Sequence, residues 1–517
     1  MTRNRLPAGI WLAALAIRLG YLWLAHDAVW FEPLQTQPLR YDGWARAILA
    51  GDAPFRPPFD EAPAYVYLVA LVYAVAGPSA LAVTTVQAAL DAGSCAAIAV
   101  VARRLAGPVA GVAAGTIAVV AGPLVYFVGQ LEPATLAVAA VAAALAATPG
   151  LDPDDVDVRP WRWWLCGLGW AAAVAVRSEL ALAWPIVAVH AARTGSGRDV
   201  GRALGAPTGL LGLSLVVNTA ASGHLVPLTT GAGINLWLGN NPLADGVSPF
   251  VSGPRAAALD AITADAIDPV DADRRFVRAV AAFVRDDPAA WLRLVARKAA
   301  WTVTDRELPN AADIGWQTAS IPGFSLLPGT GLLVPVAVAG WALLPADRRR
   351  RATVLAAPIA VAVVVSVVFF ANARFRLVWI PSLAVLGGVA IARAAEIRGP
   401  PVDPRGARLG GLALIAGWLV VHHDIDGVHP YRIPELDLNT AALALADGDP
   451  DQALALIDGA VAANPGDPAG WVRAAELRER LGDVRGAAMV WDRAVEALPD
   501  EPRVRAGAAG FARRTRR

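Results

Sequence analysis

Charge is what this chain has least of. Only 17% of its 517 residues are Asp, Glu, Lys or Arg, while 56% are hydrophobic and mean hydropathy is +0.47. Ordinary soluble domains carry about 25% charged residues, so the deficit argues against a soluble globular protein and for a multi-span membrane protein. Lysine is almost missing, with Lys298 the only one. Net charge is +1, and the arginines form short clusters between apolar runs, not one basic face, so nothing calls for a nucleic-acid partner. The two cysteines, Cys95 and Cys166, lie far apart inside apolar runs and read as small buried hydrophobes. A convincing nucleotide-binding loop is also lacking. The one GxGxxA pattern, Gly167 to Ala172, falls inside an apolar run and reads as helix packing.

What is present is a series of apolar runs. A membrane span takes about 20 mostly apolar residues. Candidates are 8–25, 79–102, 108–127, 133–148, 163–177, 179–193, 205–221, 325–345, 352–371, 377–393 and 409–422, about eleven in all. The first follows Arg3 and Arg5 and lacks a small-residue cleavage site, so it reads as a retained span. With the N-terminus inside, the cytoplasmic side receives Arg103–Arg104, Arg159–Arg162, Arg193–Arg202, Arg348–Arg351 and Arg393–Arg408. That matches the enrichment of basic residues in short cytoplasmic loops. The predicted fold class is therefore all-α, a polytopic helical membrane protein.

Three long segments then fall on the extracytoplasmic side: 26–78, about 222–324, and everything after about 423. Within the first, "APAYVYLVALVYAVAG" is apolar but short, and reads as an interfacial helix with tyrosines at headgroup level. The third contains a repeat. Gly448, Ala453, Ala460 and Pro465 recur as Gly482, Ala487, Ala494 and Pro499, each 34 residues on. That period and small-residue layout is that of tetratricopeptide repeats, two antiparallel helices per unit. The expected domains are a transmembrane domain 1–422, a linker 423–434 and helical repeats 435–517.

Ionisable residues near hydrocarbon cost several kcal/mol and need a reason. Asp42 lies about seventeen residues past the first span, Glu132 where the third and fourth spans turn over, and Arg177 between the fifth and sixth. Arg374 and Arg376 flank the outer end of the tenth. Singly, each reads equally well as a boundary charge. Together, four loops deliver two acids and three arginines to one face, where positive-inside bias disfavours arginine.

The stretches "YDGWARAILAGD", "PPFDEAPAYVYLVALVYAVAGPSALAV" and "ARRLAG" resemble the start of GT-C glycosyltransferases. The nearest group is that of the bacterial dolichyl-phosphate-mannose protein mannosyltransferases and the aminoarabinose transferases. Glu132 matches that family's second acid. "GINLWLGNNPLADG", "DPAAWLRLVARKAAWTVTDRELPNAADIGW" and "ARFRLVWIPSLAVLGG" resemble later segments of a subgroup with C-terminal tetratricopeptide repeats. The chain departs from the pattern at Glu61-Ala62-Pro63, where many members have a lysine before the proline.

The resemblance implies a transferase whose donor is a sugar on a polyprenyl phosphate, with Asp42 as catalytic acid residue. An acceptor hydroxyl attacking an anomeric carbon needs a carboxylate as general base. The leaving lipid phosphate needs cations, and arginine offers planar bidentate donors. The expected phosphate-side cations are Arg376 and Arg374, then Arg177 and Lys298, with Arg40 a further one. Arg46, one turn past Asp42, is expected to orient the acid. Glu132 serves as a second base, positions the acceptor, or joins Asp42 at a divalent metal; metal dependence stays open. The repeats suggest a protein partner or acceptor, and the expected site is the bacterial plasma membrane with the repeats outside. Rival readings are a transporter or lipid flippase using a charged outer cavity, and a non-catalytic anchor for the repeats. The His422, His423, Asp424, Asp426 and His429 group reads as a solvated linker, and Trp161, Trp163 and Trp164 as an interfacial aromatic belt.

Overall fold

The structure is a computed structural model that describes residues 5–31, 36–52, 55–152, 159–247, 249, 251, 253–308, 314–398, 404–423 and 434–515. Among these residues every regular element is helical. In chain order the first half holds α1 (Arg5–Ala25), α2 (Thr36–Leu49), α3 (Ala64–Ala76), α4 (Ala80–Ala106), α5 (Pro108–Val120), α6 (Gly122–Val128), α7 (Ala134–Ala147), α8 (Pro160–Val176), α9 (Trp184–Thr194) and α10 (Gly197–Ser222). A middle group follows: α11 (Ala232–Gly239), α12 (Gly253–Thr263), α13 (Pro269–Asp286), α14 (Pro288–Val303) and α15 (Ile314–Ala319). Then come α16 (Thr330–Leu343), α17 (Ala346–Arg351), α18 (Ala356–Val368), α19 (Ala373–Arg376), α20 (Ile380–Arg398) and α21 (Pro404–Val421). The last five are α22 (Pro434–Ala446), α23 (Pro450–Ala463), α24 (Pro468–Arg480), α25 (Val484–Ala497) and α26 (Pro502–Thr515).

Among the described residues, six helical stretches are long and apolar enough to cross a membrane: Leu6–Ala25, Ala80–Ala106, Gly197–Ser222, Phe324–Leu343, Ala346–Val368 and Ala373–Glu396. The pair α5 and α6, bent by 50° at its break, makes a seventh if counted as one span. The remaining expected spans take other forms. Residues 133–148 give the 14-residue α7, and 163–193 give α8 and α9 separated by a 3-10 turn over Ser178–Ala183. Arg177, Ser178 and Glu179 are the polar insertion that splits them. The stretch 409–422 falls on α21 and the one residue after it, and the first turns of α21 carry Arg405 and Arg408. At about 1.5 Å per residue, the 13-residue α3 is too short to cross about 30 Å of hydrocarbon. Its tyrosines divide instead of sharing the headgroup level. Tyr65 and Tyr73 are buried on the inner face, and Tyr67 is exposed.

Small residues set the helix spacing, because hydrocarbon supplies no hydrophobic drive between helices and close van der Waals contact must do so. The span that includes α20 is almost wholly buried, and α20 packs against α4, α5, α16 and α21. A Cβ at Gly340 would lie 1.9 Å from the Leu386 carbonyl oxygen, and one at Gly388 would lie 2.5 Å from that of Ala110.

The break between α5 and α6 has a polar solution. Pro123 has no N–H for the Val119 carbonyl, and the Gly122 N–H donates to Pro328 O (3.0 Å) instead of to Ala118. Arg18 of α1 takes over, its guanidinium donating to Ala118 O (3.0 Å) and to Val119 O. The same side chain pairs with Asp91 of α4 at 2.7 Å, both side chains being at most 1% exposed.

The basic clusters gather at one end of the bundle. Arg104 donates to Ala146 O and Thr148 O (2.8 Å each), His190 bonds Pro149 O (2.9 Å), and Arg351 reaches Gly150 O and Asp152 O (3.2 Å each).

The 34-residue repeat is realised in α22–α26. Gly448 and Gly482 adopt φ of 83° and 79° at the turns, and Asp449 and Asp483 cap the helices that follow, each accepting from a backbone N–H at 2.9 Å. Ala453, Ala460, Ala487 and Ala494 are buried where paired helices cross. The repeats also rest on the bundle. Leu443 of α22 packs in a cluster with Tyr21, Trp30, Phe31 and Ile321, and Trp316 Nε1 of α15 donates to Gln452 Oε1 of α23 at 2.6 Å.

Removing one partner of a buried ion pair typically costs about 3–5 kcal/mol. Arg18→Leu is therefore expected to lower the thermal unfolding temperature in detergent strongly, with part of the loss restored in the Arg18→Leu/Asp91→Leu double variant.

Candidate active site

The site face of the bundle lies at the end away from the basic clusters, and α2 and α3 supply its core. On α2, Asp42 is almost buried, and both its carboxylate oxygens are engaged. Tyr73 of α3 donates to Oδ1 (2.7 Å), and Arg46, one turn on, donates to Oδ2 (2.8 Å). The i, i+4 spacing puts Arg46 over the acid, and its guanidinium also lies 5.7 Å from the Tyr73 ring centre. Tyr65, two turns before Tyr73, shares the buried face of α3 with Val66, Val69 and Ala70.

Glu132 follows the turn after α6 and is 1% exposed. Its loop is held by Gln87 of α4, whose amide donates to Val128 O (2.8 Å) and Gln130 O (2.9 Å) and accepts from the Tyr65 hydroxyl (2.8 Å). Burial first, then the nearby Glu132 and Tyr73, push the Tyr65 phenol well above its usual value. Tyr41 behaves alike: burial, then Glu61, raise it, with Glu132 adding and Arg374 opposing. Tyr41 and Tyr65 meet edge to face, 5.0 Å between ring centres. Three buried tyrosines thus lie between Asp42 and Glu132.

A guanidinium cluster borders these tyrosines. Arg40 pairs with Asp60 (2.7 Å) and Glu61 (3.3 Å) and lies 4.5 Å over the Trp44 ring. Glu61 also accepts from the Tyr41 hydroxyl and from Gln37 Nε2 (3.3 Å). Arg374 donates to Gln37 Oε1, and Arg177 donates to the Arg374 carbonyl (2.8 Å) while pairing with Glu179. Both Arg177 and Arg374 lie over the Phe375 ring, at 5.0 and 5.2 Å. Arg40, Arg177 and Arg374 are therefore linked through Gln37, Glu61 and one backbone carbonyl.

Arg376 and Lys298 stand apart from that cluster. Arg376 is 1% exposed and donates to Thr304 O (2.8 Å), to Arg306 O and to Glu307 Oε2 (3.0 Å). Glu307 in turn accepts from the Thr330 N–H (3.0 Å) and hydroxyl (2.7 Å) at the start of α16. Lys298 is fully buried and donates to Asn240 Oδ1 (2.8 Å), Gly239 O and Phe369 O (3.2 Å each) and Val368 O (3.4 Å). It joins the C-terminal ends of α11 and α18, which touch so closely that a Cβ at Gly239 would lie 1.5 Å from Phe369 O. Sequence reasoning missed Gln37, Tyr41, Tyr65 and Tyr73 as site residues. The eight-residue interval between Tyr65 and Tyr73 on one helix face was the available signal.

Two apolar grooves flank the polar cluster. One, about 170 Å³, runs between α8, α10 and residues 59–63 and ends at Ser178, next to Arg177. The other, about 650 Å³, lies between α3 and the start of α4, lined by Leu71, Val75 and Leu81 among others. Among the described residues no group of three or more His, Cys, Asp or Glu could hold a metal ion. Asp424, Asp426 and His429 lie outside the described residues, while His422 stacks on Trp418 at 3.7 Å. Trp161 and Trp164 are exposed, as a belt requires, and Trp163 is buried.

Comparison with known proteins adds the following. The tetratricopeptide repeat family model matches residues 444–509. A search of curated protein sequences returns no match. Among solved structures, the chain is similar to the oligosaccharyltransferase of Archaeoglobus fulgidus tethered to an acceptor peptide, with 12% identity and TM-score 0.41 over 81% of this chain and 55% of that one. It is also similar to ArnT of Cupriavidus metallidurans bound to undecaprenyl phosphate, with 15% identity and TM-score 0.36 over 75% and 78%. The third is the oligosaccharyltransferase AglB of Archaeoglobus fulgidus with an inhibitory peptide and a dolichol phosphate, with 14% identity and TM-score 0.36 over 80% and 56%. This chain thus spans just over half the length of the two archaeal chains. An all-helical, multi-pass membrane bundle followed by tetratricopeptide repeats is the architecture expected from the sequence.

Burial lowers the Lys298 ammonium from 10.5 to about 8. Its folded pKa is the depressed one, so its contribution to stability is complete above pH 10.5 and is lost as pH falls through 8. The shift corresponds to about 3 kcal/mol. Denaturation midpoints of the native protein are expected to rise between pH 8 and 10.5 relative to those of Lys298→Met.

Proposed function

We propose that the chain is an integral-membrane, inverting glycosyltransferase of GT-C type that moves a sugar from a polyprenyl phosphate to an acceptor hydroxyl. The observation that carries this reading is the placement of Asp42. It is a nearly buried carboxylate, oriented by Tyr73 and Arg46, at the same end of the bundle as a linked set of three arginines beside an apolar groove.

The chemistry follows from those groups. Each oxygen of Asp42 accepts one hydrogen bond from the protein and keeps a second lone pair for an acceptor hydroxyl. As that oxygen bonds to the anomeric carbon, its proton passes to Asp42. The bond from the anomeric carbon to the phosphate oxygen breaks on the opposite side, which inverts the centre. The departing phosphate takes the electron pair, and Arg374, Arg177 and Arg40 hold its charge. Arg40 rests on Asp60 and Glu61, so donor binding exchanges carboxylate partners for phosphate. Glu61 thereby sets the position of the cation that stands in for the missing lysine. The lipid tail lies in the groove that ends at Ser178. Arg376 and Lys298 act as braces: the first fixes residues 304–307, the second the ends of α11 and α18. Glu132, beside Tyr41 and Tyr65, positions the acceptor or joins Asp42 as a second carboxylate, with a divalent ion where one is used.

The basic clusters at the opposite end support a cytoplasmic assignment for that end, hence an extracytoplasmic site in a bacterial inner membrane. The domain limits follow the same reading: a transferase domain to about 422, a linker to 434, then the repeats. The repeats lean on α15, whose Gln317 meets the Tyr126 hydroxyl of α6, just before the Glu132 loop. That seat favours a polypeptide as acceptor or partner. A transporter would place its polar groups near the midplane, whereas these gather at one end.

The test is sugar transfer in membranes supplied with a polyprenyl-phosphate-linked sugar. Asp42→Asn is expected to lower the rate by about 10²–10⁴, and Arg374→Ala to weaken donor saturation. Full transfer by Asp42→Asn would refute the base assignment.

A further inference from the structure

The turn that carries Glu132 is held from two sides. On the α4 side, Gln87 donates to Val128 O and Gln130 O. The other side is closed by Tyr21 of α1, whose ring is so near that a Cβ at Gly129 would lie 3.0 Å from its Cε1. Within the turn, the N–H groups of Gly129 and Gln130 donate to Tyr126 O (3.1 Å) and Phe127 O (3.2 Å), so the turn runs on from the end of α6. Whatever fixes α6 and Tyr21 therefore fixes the carboxylate that follows.

Both are met by the repeats. Leu443 of α22 is buried in the apolar cluster that contains Tyr21 of α1 and Val125 and Val128 of α6. It stands outside the repeats' own core, where Leu438, Ala441 and Ala444 of the same helix pack with Ala453 and Ile457 of α23. A second link is polar. Trp316 of α15 packs against both clusters, and its Nε1 donates to Gln452 Oε1 of α23 (2.6 Å). The next residue, Gln317, is buried and accepts from the Tyr126 hydroxyl of α6. Neighbouring residues on a helix point about 100° apart, so α15 meets the repeats with one side chain and α6 with the next. A module that only recruits a partner from a linker needs neither link.

We propose that the docked repeats are a positioning part of the Asp42–Glu132 site: through Leu443 on the Tyr21 cluster, and through Trp316 and Gln317 on Tyr126, α22 and α23 hold α6 and with it Glu132. Undocking the repeats loosens that turn, while Asp42 keeps its place between Tyr73 and Arg46. The part Glu132 plays in transfer rests on the glycosyltransferase reading; the mechanical link does not.

The experiment compares the full chain with Leu443→Ala/Gln452→Ala and with Tyr126→Phe in mild detergent, by hydrogen exchange read with mass spectrometry and by sugar transfer from a polyprenyl-phosphate donor. In the double variant the amides of 126–132 are expected to exchange about tenfold faster, with those of α20 and α25 unchanged. The transfer kcat is expected to fall about tenfold at an unchanged donor KM, a split that general loosening of the bundle does not give. Tyr126→Phe cuts the link from α15 without touching the repeats, and is expected to show the same split. Should the double variant fail to fold, Tyr126→Phe and the exposed Gln452→Ala decide. Faster exchange at 126–132 with no transfer by the native chain supports the link and refutes the glycosyltransferase reading. Unchanged exchange at 126–132 in the folded variants, an equal rise in α20, or faster exchange with unchanged kcat overturns the proposal.

Discussion

Arg18 makes the rest of the bundle possible. A proline at the second position of α6 leaves a backbone carbonyl without its helical donor, and in hydrocarbon no water replaces it. By donating to Ala118 O and Val119 O, Arg18 lets α5 stop and α6 start at an angle of 50°. The redirected α6 ends in the turn that carries Glu132. Asp91 offsets the cost of the guanidinium, so a charge pair in the apolar core sustains a bend, and the bend delivers a carboxylate to the site face.

At that face the same rule recurs with other donors. Carboxylates there meet phenols and guanidiniums: Asp42 with Tyr73 and Arg46, Glu61 with Tyr41 and Arg40, Glu307 with Arg376. The Tyr41 phenol, held well above its usual pKa, stays neutral and donates, so it orients Glu61 without adding charge. In the proposed reaction the arginines provide the charge that receives the phosphate.

Much of this was legible in the sequence, and the omissions have physical reasons. The apolar runs, the grouping of arginines at one end and the 34-residue period of Gly448 and Gly482 all depend on local spacing. Asp42 with Arg46 is likewise an i, i+4 relation. Arg18 and Asp91 are 73 residues apart, so no local spacing pairs them. Arg374 and Arg376 look like one motif, yet residues two apart on a helix diverge by about 200°. One therefore meets Gln37 and the other Glu307. Whether 179–193 forms one helix turned on Arg177, whose carbonyl partner on Arg374 is 197 residues away, is again beyond any local pattern.

Lys298 has a practical consequence. It is the only lysine in the chain, and its amine is sealed among four oxygen acceptors where α11 meets α18. A lysine-specific endoprotease consequently has one internal target, and an amine-reactive dye one internal label site. Both are shielded while α11, α14 and α18 stay together, so the rate at which either reagent acts records the opening of that junction. The chain carries its own single-site reporter of unfolding, set between the middle helices and the bundle.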